Sequence, residues 1–358
     1  MMADQIRLGI VGTGRMASRM MQALATVPDF TVTAVASGSA ARAGAFAEAF
    51  GINAHCTSAQ ELAAQAEVDA VYICGRTGNH VTDALAAIEA GKPVLLEKPL
   101  ATNLDDATRL TDAARAGNVL LLENLWCLAL PSYRRMAEGL NSQSYGKPVQ
   151  LQFSFGYPVT PEGYPSLFDS RDGGALLDRG VYGVSLAVHL LGAVHQVQAC
   201  AQLDESGVDL TTDLTLEHYS GATSQITVSL NALMANTAGL SCTHGFMQLG
   251  APVVGSESFL SQQVTPEGAS ATGDSIHVHA PGLKDRLKSN GFLRKLKRLK
   301  DASAAQFIPH GADQYAPMLE HFRDLIRAGR TESTLAPLEL SLATQDVLDQ
   351  ARQQIRKG

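Results

Sequence analysis

Lys98, Asp178 and Tyr182 have the residue types and settings to move a proton and to hold the group it leaves. Lys98 sits in Glu97-Lys98-Pro99, directly after an apolar run that reads as a strand, and the proline holds its backbone extended. Ligands of open α/β sheets bind outside the carboxyl ends of the strands, so an ammonium there can be aimed into a cleft. An exposed lysine after a strand is also common, and the tripeptide alone does not choose between the two. Asp178 and Tyr182 stand four apart in Gly-Gly-Ala-Leu-Leu-Asp-Arg-Gly-Val-Tyr, residues 173–182. Helical spacing puts both on one face, with Gly174 one turn before. Polar groups on a helix otherwise built from Leu, Val and Ala need partners. Those partners are either a substrate or the ordinary satisfactions of a cap, an ion pair or a packed phenol.

The scaffold for such a cleft is announced near the N-terminus by Ile6–Ala17, reading I-R-L-G-I-V-G-T-G-R-M-A. An apolar strand runs straight into a glycine turn and a helix start, the arrangement that cradles a dinucleotide. Gly12 makes the tight turn, Gly14 lets backbone approach a pyrophosphate, and Ala17 is small enough for the helix to pack on the strand. The helix expected from Arg15 to Val27 then offers free N–H groups and its positive end to the phosphates. Thr13, Arg15 and Met16 complete the expected contacts of this turn. A tight strand-to-helix turn without a ligand reads the same way.

Where a fold of this kind offers Asp or Glu to the adenosine ribose, this chain has Ser37, then Gly38 and Arg42. A carboxylate there repels a 2′-phosphate, whereas a hydroxyl and a guanidinium welcome it, so NADP is expected over NAD. The alternative is that Arg42 is a surface helix residue pointing at water.

A length of 358 residues suits two domains. With 45% apolar and 18% charged residues and a formal charge of −7, the composition is that of a globular protein without a nucleic-acid footprint. No charged and apolar leader opens the sequence and no apolar run approaches the ~20 residues of a membrane span, so a cytoplasmic protein without a membrane partner is expected. Cys56, Cys74, Cys127, Cys200 and Cys242 are odd in number and widely spaced, which reads as reduced thiols and no metal site.

Short β-rich runs alternate with Ala-rich helical stretches up to about residue 123, the rhythm of a parallel sheet wrapped by helices. The strands are expected at Ile6–Val11, Thr31–Ala36, Ala70–Cys74, Val94–Glu97 and Val119–Glu123, five or six in all. The helices are expected near Ala40–Phe50, Ala59–Ala66 with Ser58 and Glu61 as a capping box, His80–Ala90 stopped by Gly91, and Leu104–Ala116 stopped by Gly117. After Pro131 longer alternating strands take over, at Val149–Phe155, Thr212–Tyr219 and Thr223–Leu230, with a hairpin at Ser220-Gly221. Leu214, Leu216 and His218 share a face that the helix Ala175–Leu191 is expected to cover. The Pro- and Gly-rich stretch Tyr157–Gly174 is long enough to be a lid or substrate loop. Residues 264–290 read as irregular, and the basic run from Arg294 to Lys300 as a solvated amphipathic turn. The expected domains are 1–125, binding the dinucleotide, and 126–337, with a last helix at about 338–356 returning to the first.

Taken together, these motifs resemble the glucose–fructose oxidoreductase, inositol dehydrogenase and MocA (Gfo/Idh/MocA) family over almost the whole chain. The resemblance rests on the glycine turn, Glu97-Lys98-Pro99, the strand ending in Glu123 with Trp126 and Pro131 following, and the Gly-Gly-Ala-Leu-Leu-Asp helix with its tyrosine. It implies an α/β protein with an N-terminal Rossmann domain and a C-terminal α+β domain carrying a large, mostly antiparallel open sheet. It also implies NADP-dependent oxidation and reduction of a small-molecule substrate, a sugar or polyol, in a homo-oligomer. Lys98 and Tyr182 are then the catalytic pair supported by Asp178, with Glu97, His80 and Trp126 added to the cofactor contacts. Three departures fall near the cleft: Gly75-Arg76 where the family has Thr-Pro, Leu128-Ala129 where it often has Arg-Phe, and Arg179 where an apolar residue is common. Dehydrogenation of dihydrodiols or dicarbonyls, and a non-catalytic dinucleotide-binding regulator, remain as alternatives.

If Tyr182 is the acid–base group, its ordinary pKa near 10 leaves it about a thousandfold short of base at pH 7, roughly 4 kcal/mol. Lys98 is expected to supply much of this by lowering the phenol, since a nearby cation shifts a pKa by ~1–3 units. Asp178 beside the phenol would oppose it, so Asp178 is expected to orient Lys98 or a substrate hydroxyl.

Overall fold

The computed structural model describes residues 5–264 and 305–356. Six parallel strands, β1 (Ile6–Val11), β2 (Phe30–Ala36), β3 (Ala54–Cys56), β4 (Ala70–Ile73), β5 (Val94–Leu96) and β6 (Leu121–Glu123), pair in the order β3-β2-β1-β4-β5-β6. Their sequences are nearly unbroken Val, Ile, Leu and Ala because helices cover both faces. Leu8, Ile10, Val35, Val71, Ile73, Leu95 and Leu96 are fully buried. The covering helices are α1 (Arg15–Leu24), α2 (Ala40–Phe50), α3 (Ala59–Ala63), α4 (His80–Glu89) and α5 (Leu104–Gly117). β1 pairs with both β2 and β4, so the strand order reverses at its end, where the glycine turn lies.

Local chemistry sets the helix ends. Ser58 accepts the Glu61 N–H at 3.1 Å, while the Glu61 carboxylate takes the N–H of Thr57 at 2.9 Å, one residue earlier than a reciprocal capping box requires. Gly117 does not stop α5 as expected; Asn118, at φ 52°, supplies the left-handed cap one position later. The edge strand β3, of only three residues, is not among the expected strands.

The second sheet has eight strands: β7 (Pro148–Gly156), β8 (Val194–Leu203), β9 (Asp209–His218), β10 (Thr223–Ser229), β11 (Thr237–Cys242), β12 (Gly245–Leu249), β13 (Ser258–Gln263) and β14 (Ala305–Phe307). Their order is β14-β13-β12-β11-β7-β10-β9-β8, antiparallel except for the parallel pair β7 and β10. This is the mostly antiparallel sheet expected, and β9 and β10 form the hairpin about Ser220-Gly221. One face is covered by α7 (Val181–Leu191), and Leu214, Leu216 and His218 are buried beneath it or beside it. The expected continuous helix from Ala175 instead opens with a π-turn at Leu176–Gly180.

Two linking helices, α6 (Pro131–Asn141) and α8 (Ala316–Arg327), precede the last, α9 (Leu338–Ile355). α9 does not simply return to the first sheet but ties both halves. Asp349 and Arg352 bond the backbone of Leu104 and Thr102, while Gln354 bonds that of Val197 and Ala199. The five cysteines are free; Cys56, Cys74 and Cys127 are buried and Cys200 is exposed. No helix among the described residues is long and apolar enough to cross a membrane. Residues 265–290 and the basic run from Arg294 to Lys300 lie outside the described residues.

Candidate active site

The glycine turn has room for a pyrophosphate. Gly12 adopts φ +118°, and a Cβ there would meet the Cys74 carbonyl and the Gly75 nitrogen at 2.9 Å, so only glycine fits. A Cβ at Gly14 or Gly38 meets nothing within 4 Å, which leaves open space beside both. The first turn of α1 carries no acidic residue, and its leading N–H groups face that space without a side-chain cap. At the other end of the turn Thr13 Oγ1 lies 3.4 Å from Ser37 Oγ. Ser37 is buried and Arg42 is exposed in the first turn of α2, with no carboxylate following β2. Met16 is half-buried against the core, and Arg15 stacks over the Tyr164 ring at 4.1 Å. This donor set fits a dinucleotide.

Lys98 projects from the turn after β5, and two buried groups hold that turn. Glu97 accepts hydrogen bonds from Tyr72 Oη (2.7 Å) and Asn124 Nδ2 (2.6 Å), and burial raises its carboxyl. His80 donates from Nδ1 to the Pro99 carbonyl at 2.9 Å. Both therefore hold the Lys98 turn in place from within the fold. Burial pushes the His80 imidazole down to about 4, so it is neutral.

From the other half, the π-turn and α7 bring Asp178 and Tyr182 to the same point. Gly174, at φ +101°, makes this possible, because a Cβ there would collide with the Asp209 carboxylate. Asp209 instead accepts the Leu176 N–H at 2.6 Å and caps the helix start. Lys98 Nζ donates to the Asp178 carboxylate at 2.9 Å and to its carbonyl at 2.7 Å, and lies 4.8 Å from the centroid of the Tyr182 ring. Trp126 Nε1 donates to the Tyr182 phenol oxygen at 3.2 Å. The extra residue of a π-turn, a feature frequent at functional sites, exposes the Asp178 carbonyl to the lysine as well as its carboxylate.

One expectation is overturned. Lys98 does not bring the phenol down; burial pushes Tyr182 well above its ordinary value, and Glu97, Tyr315, Cys127 and Asp178 add to the rise. The ammonium is occupied by Asp178 and faces the ring rather than the oxygen.

Several residues of the cleft carried no sequence signal. Tyr315 packs on Trp126 with ring centroids 4.5 Å apart, and Phe155 lies edge-on to Tyr182 at 6.0 Å, so the phenol sits among aromatic walls. The loop from Tyr157 to Gly174 crosses to the first domain, where Arg76 pairs with Asp169 at 2.5 Å and Asp172 takes the Gly78 N–H at 3.0 Å. Arg76 thus gains partners that a Thr-Pro turn would lack. Leu128 and Ala129 are buried. Arg179 is also buried, on the far side of Asp178 from Lys98.

A parallel sheet with a phosphate cradle at its switch point, facing a lysine, carboxylate and phenol at the junction with a second sheet, defines a dinucleotide-dependent oxidoreductase acting on CH–OH or ketone groups. Residues 6–125 match the model of the oxidoreductase family with NAD-binding Rossmann fold, and residues 133–248 match the Gfo/Idh/MocA C-terminal domain. The chain belongs to the Gfo/Idh/MocA family. It is 28% identical to trans-1,2-dihydrobenzene-1,2-diol dehydrogenase of Mus musculus, covering 98% of this chain and 97% of that one. Identity to the NADP(+) scyllo-inositol 2-dehydrogenase of Bacillus subtilis is also 28%, with the same coverage. The 3-ketoreductase KijD10 of Actinomadura kijaniata, solved with NADP and TDP-benzene, superimposes with a TM-score of 0.78 at 26% identity over 98% of each chain.

Proposed function

We propose that this chain transfers hydride between NADP and a carbinol or carbonyl carbon of a sugar or polyol, with Tyr182 as the proton-transfer group. The observation that carries the proposal is the meeting of Lys98, Asp178 and Tyr182 from two domains at one cleft. NADP, when bound, supplies the hydride acceptor or donor. Gly12, Thr13, Gly14, Arg15 and Met16 hold the pyrophosphate turn, and Ser37, Gly38 and Arg42 receive the 2′-phosphate.

In reduction, Tyr182 gives its proton to the carbonyl oxygen as the carbon gains hydride. In oxidation, its phenolate takes the hydroxyl proton as the carbon loses hydride. Trp126 steadies the phenol oxygen in both states, since its N–H bond strengthens as charge develops there. Lys98, fixed by Asp178, presents a cation to the same substrate oxygen, with Glu97 and His80 holding its turn. The phenol raised by burial is fully protonated near neutrality, so the proton donor for reduction is ready and the base for oxidation is scarce.

A second reading is favoured by the aromatic walls of Trp126, Phe155 and Tyr315, which suit the ring of a dihydrodiol. The test is to supply purified protein with NADP or NAD and with aldoses, polyols, their ketones and dihydrodiols, and to follow nicotinamide absorbance. Turnover of sugars with NADP supports the proposal. Turnover of dihydrodiols alone moves it to the second reading, and tight NADP binding without turnover of any of them refutes catalysis.

A further inference from the structure

We propose that the segment from Tyr164 to Asp172 is a latch across the dinucleotide crevice, and that the nucleotide enters and leaves only when this latch lets go of the first domain. The inference rests on dinucleotide binding at the glycine turn and concerns how the nucleotide is exchanged.

The crevice has two walls. One is the turn from Gly12 to Arg15 after β1, and the other is the turn from Gly75 to Asn79 after β4, the strand paired with β1. The walls meet at their base, where a Cβ on Gly12 would touch the Cys74 carbonyl and the Gly75 nitrogen at 2.9 Å. A pyrophosphate on the N-terminus of α1 lies between them. The segment that leaves the second sheet after Gly156 and returns at Gly174 touches each wall in turn. On the first, the Tyr164 ring holds the Arg15 guanidinium 4.1 Å from its centroid. On the second, Asp169 pairs with Arg76 at 2.5 Å, while Asp172 takes the Gly78 N–H at 3.0 Å and sets its other oxygen 3.5 Å from Arg76. The stretch between these contacts bridges the crevice.

This stretch is a compact body on weak fastenings. The N–H groups of Gly173 and Gly174 donate to the carbonyls of Asp169 (2.8 Å) and Leu167 (2.9 Å), and Arg171 pairs with Asp169 at 2.8 Å. Only glycine fits at 173, because a Cβ there would lie 2.6 Å from the Leu167 carbonyl. The fastenings to the first domain are exposed by contrast, with the Arg76 side chain 51% and Tyr164 39% accessible. Exposed ion pairs and cation–π contacts are individually weak, so the latch opens without unpacking a core. Arg171 and then Arg76 hold the Asp169 carboxyl far below the usual carboxylate range, so the pair stays charged at any working pH. Arg76, standing where the family has Thr-Pro, thereby acquires a purpose: it is the cation that both aspartates grip.

These contacts join protein to protein. Weakening them lowers the barrier to passage in both directions, whereas losing a residue that touches the nucleotide speeds exit alone. Stopped-flow fluorescence gives the two rates, entry by mixing NADPH with the protein and exit by displacing it with excess NADP. Arg76→Ser and Tyr164→Ala are each expected to raise both rates about 2- to 5-fold. The two sites share no partner, so the double variant should reach about 4- to 25-fold, with the calorimetric Kd for NADPH within about twofold of wild type. Added salt should speed exit from wild type more than from Arg76→Ser, since screening acts on the ion pair that the variant lacks. Asp172→Asn, which keeps the shape of the segment, covers the case of a double variant that does not fold, and it should raise both rates as well. Unchanged rates in these variants would overturn the latch. So would faster exit with unchanged entry, which would mark the segment as a direct nucleotide contact. A wild type that binds neither NADPH nor NADH would overturn the dinucleotide reading and the latch with it, an outcome distinct from the other two.

Discussion

Replacing Tyr182 with Phe removes a single oxygen from the cleft and leaves the ring between Trp126 and Phe155. A positioned acid–base group contributes about 10²- to 10⁴-fold, so the rate of hydride transfer is expected to fall by that much, about 3–5 kcal/mol in barrier. The structural cost is smaller. Trp126 Nε1 loses its acceptor, worth about 1–3 kcal/mol for a buried donor, against a total stability of about 5–15 kcal/mol. The variant should therefore fold and bind NADP normally, as read by its circular dichroism melt and by fluorescence titration with NADPH. The wild-type pH dependence supplies an independent check. With the phenol raised well above 10, the phenolate fraction grows tenfold for each pH unit through neutrality, while the phenol fraction stays near one. Single-turnover oxidation should then rise about tenfold per pH unit between about pH 6 and 9, and reduction should be flat. A Tyr182→Phe variant whose chemical step runs within about fivefold of wild type, or an oxidation step indifferent to pH, would refute the assignment of proton transfer to this oxygen.

Lys98→Met frees Asp178 and removes the cation, and single-turnover rates are expected to fall about 100-fold or more with NADP affinity changed by less than about threefold; unchanged rates would exclude Lys98 from the chemistry. If the exposed Arg42 meets the 2′-phosphate as proposed, Arg42→Ala should weaken NADP about 10- to 100-fold by calorimetry and leave NAD binding unaltered. Stability should respond to two buried groups in opposite senses. His80, down to about 4 from 6.5, loses stability for the fold as pH falls from 6.5 to 4, because only the unfolded chain takes up the proton. Glu123, up to about 7 from 4.5, loses it as pH rises from 4.5 to 7, because only the unfolded chain gives its proton up. Each amounts to about 3 kcal/mol, so they offset one another between about pH 4.5 and 6.5. Glu123→Gln should make the slope of melting temperature against pH more positive than in wild type across that window; a slope equal to wild type would contradict it.

Much of the nucleotide half was legible because its signals are local. Gly12, Gly14 and Ala17 act within one strand, turn and helix start, and Lys98 needs only the strand before it and the proline after it. β3 was not, since Ala54-His55-Cys56 is too short to show a period and is a strand only because β2 offers it an edge. The second half was read in type but not in detail. Helical spacing brought Asp178 and Tyr182 to one face, yet the π-turn that also aims the Asp178 carbonyl depends on Asp209, far along the chain. Tyr315 and Arg179 show the limit most clearly. Tyr315 reaches Trp126 only through the path of the whole C-terminal half, and Arg179 was visible as an odd residue without any sign that its guanidinium would be buried.

The helix α9 carries a consequence for how the molecule is made. Because it bonds Thr102 and Leu104 on one side and Val197 and Ala199 on the other, the seam lacks these four ties until this helix has left the ribosome. A nascent chain arrested at Pro337 should be cut by protease at the hinge between its halves, and one released with α9 in place should resist. Biosynthesis thus delays the fully tied cleft until α9 has been made.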